Sequence, residues 1–431
     1  LTHMCCTCWP YVWVSAADGS ASGGSVTGGG APYSAFNTPL LNGNPLEAAS
    51  TVVSQGVSNT SSESVSITGQ VVRTTDGRGT TTTFTYDPWT GNLTSSIQTT
   101  AAGETRTSTF GFDKYGRPDS VEVNGVTLST STYRSNGTVL RVNYDNGTTS
   151  EVGLDANNNI ESVTYDGFEG DVSVGETDVY SRGGAILTRN LRGTDGTLRF
   201  DATYDLDHRL VSSAAAGTIE RTTDSTTVAF EGAVGANGNR TSQIAVNADG
   251  QAVTSSFTYD ESDRLVGTTL PTAGTPSYDV QGRTTAIAAS STGSSAEPSS
   301  TSTGESTLQY DAGGILTEAT GPRGSIEFTG DDLAVFTPAG GGEVVTLRPS
   351  GDLLLDAEGA IVGQLIDLPQ GVTVALDSTG APVQWQYADL QGSKAWTSSG
   401  DKAPVSTTVY DPWGTQISTN ERVVPTTPLQ L

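Results

Sequence analysis

The sequence predicts an all-β protein built from repeated β-hairpins. A short unit of an aromatic residue, Asp, two variable residues and Gly recurs along the chain, polar and apolar residues alternate before it, and 52 of the 431 residues are Gly. Alternation with a period of two is typical of a half-buried strand, and Gly supplies the backbone conformations that tight turns require. A sequence that repeats itself in this way favours a repeat fold over a single irregular core.

The strand part of the unit lies before its aromatic residue. Segments 83–86 and 256–259 both place aromatic side chains on one face and hydroxyl side chains on the other. This pattern predicts a strand with one buried and one solvated face, which the aromatic residue closes.

The turn part of the unit begins at Asp, which can accept backbone hydrogen bonds as the first residue of a type I turn. Gly then supplies the left-handed conformation that returns the chain, and His208 and Asp263 occupy that position in their copies. Asp and His tolerate this conformation better than branched residues do. We assign as structural repeat anchors Tyr86, Asp87, Gly91, Phe112, Asp113, Gly116, Tyr204, Asp205, Tyr259, Asp260, Tyr278, Asp279, Gly282, Tyr310, Asp311, Tyr410, Asp411 and Gly414.

The repeated Tyr-Asp-x-x-Gly unit, often followed by Arg-Leu or Asn-Leu, resembles the YD repeat, or Rhs repeat, of bacterial polymorphic toxins, insecticidal toxin-complex shells and teneurins. Segments 368–374, 385–392 and 410–414 look like those that lead into the Rhs core domain. The resemblance implies a β-ribbon coiled into a hollow shell, which in toxin members surrounds a C-terminal payload. It also implies that the self-cleaving segment of the family and any toxin would lie beyond Leu431.

The resemblance divides the chain into four regions. We expect an irregular Gly/Ser/Pro-rich lead-in over 1–68, a YD-repeat shell over 69–330, a repeat segment leading into a core-like end over 331–418, and a Pro/Thr tail over 419–431. The low-complexity stretch 290–304 is expected to be a surface loop. Because the chain starts with Leu1 and stops in the Pro/Thr-rich stretch, we expect it to be a piece of a longer polypeptide.

The charge of the chain restricts its partners. With 21 Lys and Arg against 47 Asp and Glu, the net charge of −26 argues against nucleic acid as a partner. No apolar stretch is long enough for a membrane helix, so membrane insertion is not expected either. The expected partners are a C-terminal toxin domain or other payload of the parent polypeptide, and self-association is possible. The expected location is secreted or at the cell surface.

The sequence offers little material for catalysis, so no catalytic or cofactor-binding residue is assigned. The two histidines are His3 and His208, and His208 is expected to be a solvated turn residue. Cys5, Cys6 and Cys8 lie too close together for a tetrahedral metal site to be favoured. Structural calcium at acidic pairs such as Asp205/Asp207 or Asp331/Asp332 is the alternative to a cofactor-free protein.

Three functions are compatible with these features. The leading hypothesis is a non-enzymatic YD/Rhs-repeat shell segment of a large secreted or surface protein that encapsulates or carries a C-terminal toxin. The alternative is an extracellular structural or adhesive fibre or spacer built from YD repeats. A third is a carbohydrate-active β-solenoid using Trp385 and Tyr387 beside Asp389, although we expect both aromatic side chains to face inward.

Overall fold

The computed structural model describes residues 46–54, 57–66, 68–232, 237–270, 275–288, 305–329, 333–341, 344–347, 353–414 and 416–421. These residues form 33 β-strands and one 3-10 turn, Pro369–Gly371. The prediction of an all-β hairpin fold is confirmed.

The first sheet contains 19 strands within the described residues. They are β1 (Leu46–Ser54), β2 (Val57–Val65), β3 (Val71–Thr75), β4 (Thr81–Tyr86), β5 (Leu93–Thr99), β6 (Thr105–Phe112), β7 (Pro118–Val123), β8 (Val126–Tyr133), β9 (Val139–Tyr144), β10 (Thr149–Leu154), β11 (Ile160–Asp166), β12 (Val174–Tyr180), β13 (Ile186–Gly193), β14 (Gly196–Tyr204), β15 (Leu210–Gly217), β16 (Ser225–Phe230), β17 (Arg240–Val246), β18 (Ala252–Tyr259) and β19 (Leu265–Thr268).

The second sheet contains 14 strands in the same described part of the chain. They are β20 (Ser277–Tyr278), β21 (Thr284–Ala288), β22 (Glu305–Tyr310), β23 (Leu316–Gly321), β24 (Gly324–Thr329), β25 (Leu333–Pro338), β26 (Val345–Leu347), β27 (Leu353–Leu355), β28 (Ile361–Leu368), β29 (Val372–Asp377), β30 (Pro382–Ala388), β31 (Lys394–Ser399), β32 (Pro404–Tyr410) and β33 (Gln416–Glu421).

Both sheets are simple meanders. Every recorded pairing joins a strand to the one before or after it in the chain, and all pairings are antiparallel. Short turns connect antiparallel strands directly, whereas parallel strands would need long crossovers. The chain is therefore a ribbon of consecutive hairpins, as the repeat predicts.

The structure differs from the predicted lead-in and tail. Strands β1 and β2 lie within 1–68, and β2 pairs with β3, so the ribbon already includes Leu46. The sequence did not show this because these strands are built from Ser, Thr, Val and Ala without the aromatic-Asp-Gly unit. At the other end β33 extends to Glu421, past the predicted boundary at 418. Segments 1–45, 290–304 and 422–431 lie outside the described residues.

The hydrophobic core joins two distant parts of the ribbon. We call strands β7 to β15 the wall and strands β28 to β33 the closing hairpins. Buried apolar residues of the wall, such as Leu128 and Leu198, belong to the same cluster as Val374 and Trp385 of the closing hairpins. One face of the wall is therefore covered by hairpins that follow it by about two hundred residues in the sequence. Among the described residues, no helix is long and apolar enough to span a membrane.

Candidate functional site

Each aromatic anchor lies at a β-bulge at the end of its strand. The pairing register shifts between Thr85 and Tyr86, so Tyr86 lies opposite Leu93. The same shift occurs at Phe112, Tyr204, Tyr259, Tyr278, Tyr310 and Tyr410. A bulge bends the strand and increases its twist, so its repetition at every unit curves the ribbon in a regular way.

The anchor Asp organises the turn that follows the bulge. In the Asp113 turn, Oδ1 accepts hydrogen bonds from the amides of Tyr115 (2.8 Å) and Arg117 (3.0 Å), while the Asp113 amide donates to the Arg117 carbonyl (2.9 Å). Asp205, Asp260 and Asp279 hold their turns in the same way. The other anchors hold part of this pattern through Oδ1, namely Asp87, Asp311 and Asp411.

The last turn position has a left-handed backbone. Gly116 and Gly282 have φ angles of 77° and 83°, and Gly91 and Gly414 share this conformation. His208 and Asp263 adopt it too, with φ angles of 61° and 60°. His208 is exposed and its amide donates to the Asp205 carbonyl, in agreement with a solvated turn residue.

An Arg four residues after the Asp completes four of these turns. Arg283 Nε donates to Asp279 Oδ2 (2.6 Å), and its guanidinium lies 4.8 Å from the ring centre of Tyr310 in the next unit. The same pairing and stacking occur for Arg117 over Tyr133, Arg209 over Phe230 and Arg264 over Tyr278. A guanidinium over an aromatic face is an attractive contact. Each unit is therefore connected to the next through Asp, Arg and an aromatic ring.

The Tyr hydroxyl makes a second connection between units. Tyr310 donates to the Thr284 carbonyl (2.9 Å), Tyr204 to the Ile186 carbonyl (2.8 Å) and Tyr86 to the Val71 carbonyl (2.8 Å). Each acceptor belongs to the strand that begins after the preceding turn. This explains physically why Tyr is the commonest aromatic residue at the anchor.

Hydrogen bonds keep the turn carboxylates ionised. The pKa of Asp260 is lowered chiefly by the hydrogen bonds from the side chain and amide of Arg264, and that of Asp205 chiefly by the amide of Arg209. Arg209 also lies 3.3 Å from Asp207, so the Asp205/Asp207 pair already has a cation. Within the described residues no group of three or more His, Cys, Asp or Glu side chains could hold a metal ion. Asp331 and Asp332 lie outside those residues.

An aromatic cluster fills the interface between the wall and the closing hairpins. Tyr165 lies 5.1 Å from Tyr387 and 5.9 Å from Trp396, while Tyr144 lies 5.9 Å from Trp385, measured between ring centres. Trp385 and Tyr387 are fully buried, so they face inward as expected and form no surface platform for a sugar. Aromatic pairs at these distances stabilise a core beyond their buried area alone.

Tyr hydroxyls add polar contacts across this interface. Tyr165 donates to the Ala388 carbonyl (2.8 Å), and Asn146 Nδ2 donates to the Tyr387 hydroxyl (2.8 Å). Burial raises the pKa of Tyr165 well above its usual range, so the hydroxyl remains a donor. Tyr144 and Tyr165 were not predicted from the sequence, because neither is one of the assigned repeat anchors.

A buried ionic cluster is the second contact between the two parts. Arg189 of β13 donates to Glu176 of β12 (2.5 Å) and to Asp389 in the turn after β30 (2.5 Å). Asp178 lies beside them and accepts from Gln391 Nε2 (2.9 Å). These four charged side chains, Arg189, Glu176, Asp178 and Asp389, form what we call the Arg189 cluster.

Burial changes the protonation of this cluster. Loss of hydration raises the pKa of Glu176 to about 8, despite the nearby Arg189, and it also raises the pKa of Asp178. Burial lowers the pKa of Arg189, but the attraction of Glu176 and Asp389 outweighs this effect and the pKa ends above its usual value. Arg189 therefore stays charged while the carboxyl groups compete for protons.

Further contacts extend along the whole interface. The Ile361 amide donates to Glu104 Oε2 (2.6 Å), Thr194 and Thr407 share a hydroxyl hydrogen bond (3.3 Å), and the Thr222 amide donates to the Ile417 carbonyl (2.9 Å). Arg106 also donates to the Ser378 carbonyl in the turn after β29. The closing hairpins are thus fixed to the ribbon from Glu104 to Thr222.

The predicted anchors do not converge on a catalytic centre. They are spread over successive hairpins, where each organises its own bulge or turn. An open depression of about 430 Å³ lies near Thr164, Asn190 and Arg192, and its lining contains neither His nor Cys. The arrangement supports closure of one face of the ribbon, and the residues that form the closing contacts are not among the repeat anchors predicted from the sequence.

Comparisons with known proteins agree with this geometry. The family model described as RHS Repeat matches residues 68–105, which include the Tyr86 unit. No curated protein matches the sequence. Solved structures similar to the chain are those of TcdB2-TccC3-Cdc42 (TM-score 0.54, 13% identity), TcdB2-TccC3 (0.50, 13%) and TcdB2-TccC3-TEV (0.50, 12%), each aligned over 88% of this chain and 20% of the matched chain.

At these identities the structural likeness shows the fold, and the chain spans about a fifth of the length of the solved chains it matches. The fold is a long antiparallel ribbon of hairpins with a bulge and an Asp turn in each unit. Residues 68–105 thus match the RHS Repeat model, within a fold similar to that of the TcdB2-TccC3 structures.

Proposed function

We propose that the chain is a non-enzymatic shell segment of a large secreted or surface protein, and that it encloses or carries a C-terminal toxin or other payload of the same polypeptide. The observation that carries this proposal is the covering of the wall by the closing hairpins through the aromatic cluster and the Arg189 cluster. A closed container requires one face of its wall to be covered in this way, whereas a simple spacer does not.

Three further features support a shell. Consecutive hairpins satisfy each other's hydrogen bonds, so the ribbon can be lengthened without exposing new edges along its course. A bulge recurs at each aromatic anchor, and each bulge bends its strand and increases the local twist. The net charge of −26 favours solubility and repels anionic partners at low salt.

Protease protection of the downstream sequence tests encapsulation. The natural polypeptide that contains this chain is digested with a protease of broad specificity, alongside the separately produced downstream segment. We expect the downstream segment to resist digestion within the polypeptide and to become sensitive after Trp385→Ala, which weakens the closing hairpins. Trp89→Ala is the matched control, because Trp89 is 93% exposed.

Equal digestion of the free and attached segments would reject encapsulation. Fibres of the isolated chain in electron micrographs, in a polypeptide whose downstream sequence is unprotected, would favour the structural or adhesive fibre instead.

A further inference from the structure

The Arg189 cluster contains more negative than positive charge. Three carboxyl groups, Glu176, Asp178 and Asp389, surround one guanidinium. The side chains of Glu176 and Asp389 are 0% and 1% exposed, and Asp178 is 2% exposed as a residue. Full ionisation would leave a net charge of −2 in a buried site. Such a charge is costly in a place from which water is excluded.

The hydrogen bonds recorded for the cluster leave one carboxylate oxygen without a donor, so one of the carboxyl groups can carry a proton. Glu176 Oε1 accepts from Arg189 and Oε2 from the Leu390 amide (2.8 Å), and Asp178 Oδ2 accepts from Gln391 and from the Tyr180 hydroxyl (3.3 Å). Asp178 Oδ1 is buried and has no donor among the described residues. Glu176 and Asp178 are two residues apart on β12, so their side chains lie on the same face of the strand and can share a proton.

We propose that Glu176 and Asp178 share one proton at neutral pH and that this proton fastens the closing hairpins to the wall. With it, the cluster has a net charge of −1 and the Asp389 carboxylate is free to pair with Arg189. Without it, the second negative charge on β12 competes for the same guanidinium and repels Asp389. Loss of the proton therefore loosens the turn that carries Asp389.

The titratable and charged groups that make up the cluster come from β12, β13 and the turn after β30. Strand β12 contributes Glu176, Asp178 and Tyr180, β13 contributes Arg189, and the turn after β30 contributes Asp389 with the neutral Gln391. The charge of Asp178 also acts on Tyr204, and that of Asp389 acts on Tyr165. Asp411 follows Tyr410, whose carbonyl accepts from Arg189 (3.4 Å). Arg189 is the one cation that the described structure places in contact with this group.

The direction of the pH effect follows from linkage. Since the pKa of Glu176 is higher in the folded than in the unfolded chain, the stabilisation is fully present below pH 4.5 and is lost as pH rises through about 8. The closing hairpins are therefore held most firmly in mildly acidic solution, loosen progressively as pH rises towards 8, and are loosest above it. This inference concerns closure of the chain itself and does not require a payload.

Hydrogen exchange at two turns of the same molecule tests the proposal. The amides of Gln391 and Ser393 donate to Asp389 Oδ1, whereas those of Gln281 and Arg283 donate to Asp279 Oδ1 in a turn with its own Arg. Protection of each pair is measured on the full chain between pH 6 and pH 10, and the ratio removes the intrinsic pH dependence of exchange. We expect protection at the Asp389 turn to fall, relative to the Asp279 turn, by up to about tenfold per pH unit as pH rises from 6 towards 8, and to level off above pH 8.

Variants identify the group responsible. Glu176→Gln keeps the shape of the side chain and one acceptor oxygen, which can still receive the hydrogen bond from Arg189, but it has no proton to lose, so the relative loss should disappear. Glu151→Gln is the matched control, because Glu151 pairs with Arg141 on the exposed surface (3.0 Å), and it should behave as wild type.

Two results would overturn the proposal: a constant ratio of protection in the wild-type chain, or an unchanged alkaline loss in Glu176→Gln. If Glu176→Gln does not fold, Asp178→Asn replaces it with the same expectation, and the wild-type ratio still decides whether the proton exists. These outcomes are independent of protease protection, so encapsulation can fail while the proton is confirmed, and the reverse.

Discussion

The Asp279 turn and the Asp389 turn are the same local structure with different cations. Both carboxylates accept two amide hydrogen bonds through Oδ1. Asp279 receives its guanidinium from Arg283, four residues later, whereas Asp389 receives it from Arg189, two hundred residues earlier. A motif that stiffens the ribbon locally thus becomes a long-range connection once its own Arg is absent.

The sequence of the closing hairpins fits this difference. The residues four positions after Asp377 and Asp389 are Ala381 and Ser393, so neither turn has a local Arg. Both are approached by a guanidinium from the preceding part of the ribbon, Arg106 at the Ser378 carbonyl and Arg189 at Asp389. In these two turns a guanidinium from a distant strand therefore takes the place of the local Arg.

Replacing Trp385 should have the largest effect on stability, because its side chain is fully buried between the wall and the closing hairpins. For Trp385→Ala we expect the free energy of unfolding of the closing hairpins to fall by about 3 to 5 kcal/mol, the usual cost of a large cavity. Urea unfolding followed by the fluorescence of the remaining tryptophans measures the change. Trp89→Ala, in an exposed turn of the ribbon, should change stability by less than about 0.5 kcal/mol.

Replacing Arg189 should destabilise the Asp389 turn but not turns that have their own Arg, such as the Asp279 turn. Arg189→Met leaves Glu176 and Asp389 buried without their cation, and loss of one partner of a buried pair costs about 3 kcal/mol or more. Urea unfolding at pH 7 should show this loss, and exchange should increase at the Asp389 turn while the Asp279 turn stays protected. Arg141→Met, at an exposed pair, is the control, and equal effects of the two variants would contradict the distinction.

A smaller effect is expected within the ribbon. Tyr310→Phe removes the hydroxyl that donates to the Thr284 carbonyl but keeps the ring beneath Arg283. We expect a loss of about 0.5 to 1.5 kcal/mol, the net value of one hydrogen bond, confined to the exchange of neighbouring amides. Tyr115→Phe is the control because Tyr115 is 70% exposed. A global loss of stability in Tyr310→Phe would show that the units are not independent.

Lowering the pH should weaken the turns that have their own Arg, whereas raising the pH should weaken the Arg189 cluster. The pKa of Asp260 is lowered chiefly by hydrogen bonds from Arg264, so its stabilisation is present above the ordinary pKa of 3.8 and is lost as pH falls through the lower folded value. Amide exchange of Ser262 and Arg264 should therefore gain protection as pH rises from 2 to 5. Asp260→Asn should remove this dependence, and its persistence would assign the effect to another group.

Most of the ribbon could be predicted from the sequence because its determinants are local. The aromatic anchor, the Asp and the left-handed position of His208 or Asp263 all act within one hairpin. Period-two alternation and turn chemistry report on neighbouring residues, and every strand pairing joins neighbours. The strands β1 and β2 were missed because they lack this unit.

The closing contacts could not be predicted, because their partners are far apart in the sequence. Nothing near Arg189 indicates that it pairs with Asp389, and Tyr165 occupies no repeat position although it contacts Trp396. Which hairpins meet depends on the accumulated bend of many bulges, a quantity that no single unit specifies. The sequence of segments 368–374, 385–392 and 410–414 predicts a core-like end, but it does not indicate which strands these segments contact.

The meander of neighbouring strands has a consequence for the order of assembly. A nascent chain can complete each hairpin soon after both of its strands have emerged, since no pairing waits for a distant segment. The contact from Arg106 to Ser378, by contrast, spans 272 residues and forms only after all the intervening strands have been synthesised. Translation therefore completes the wall before the closing hairpins that cover it have been synthesised.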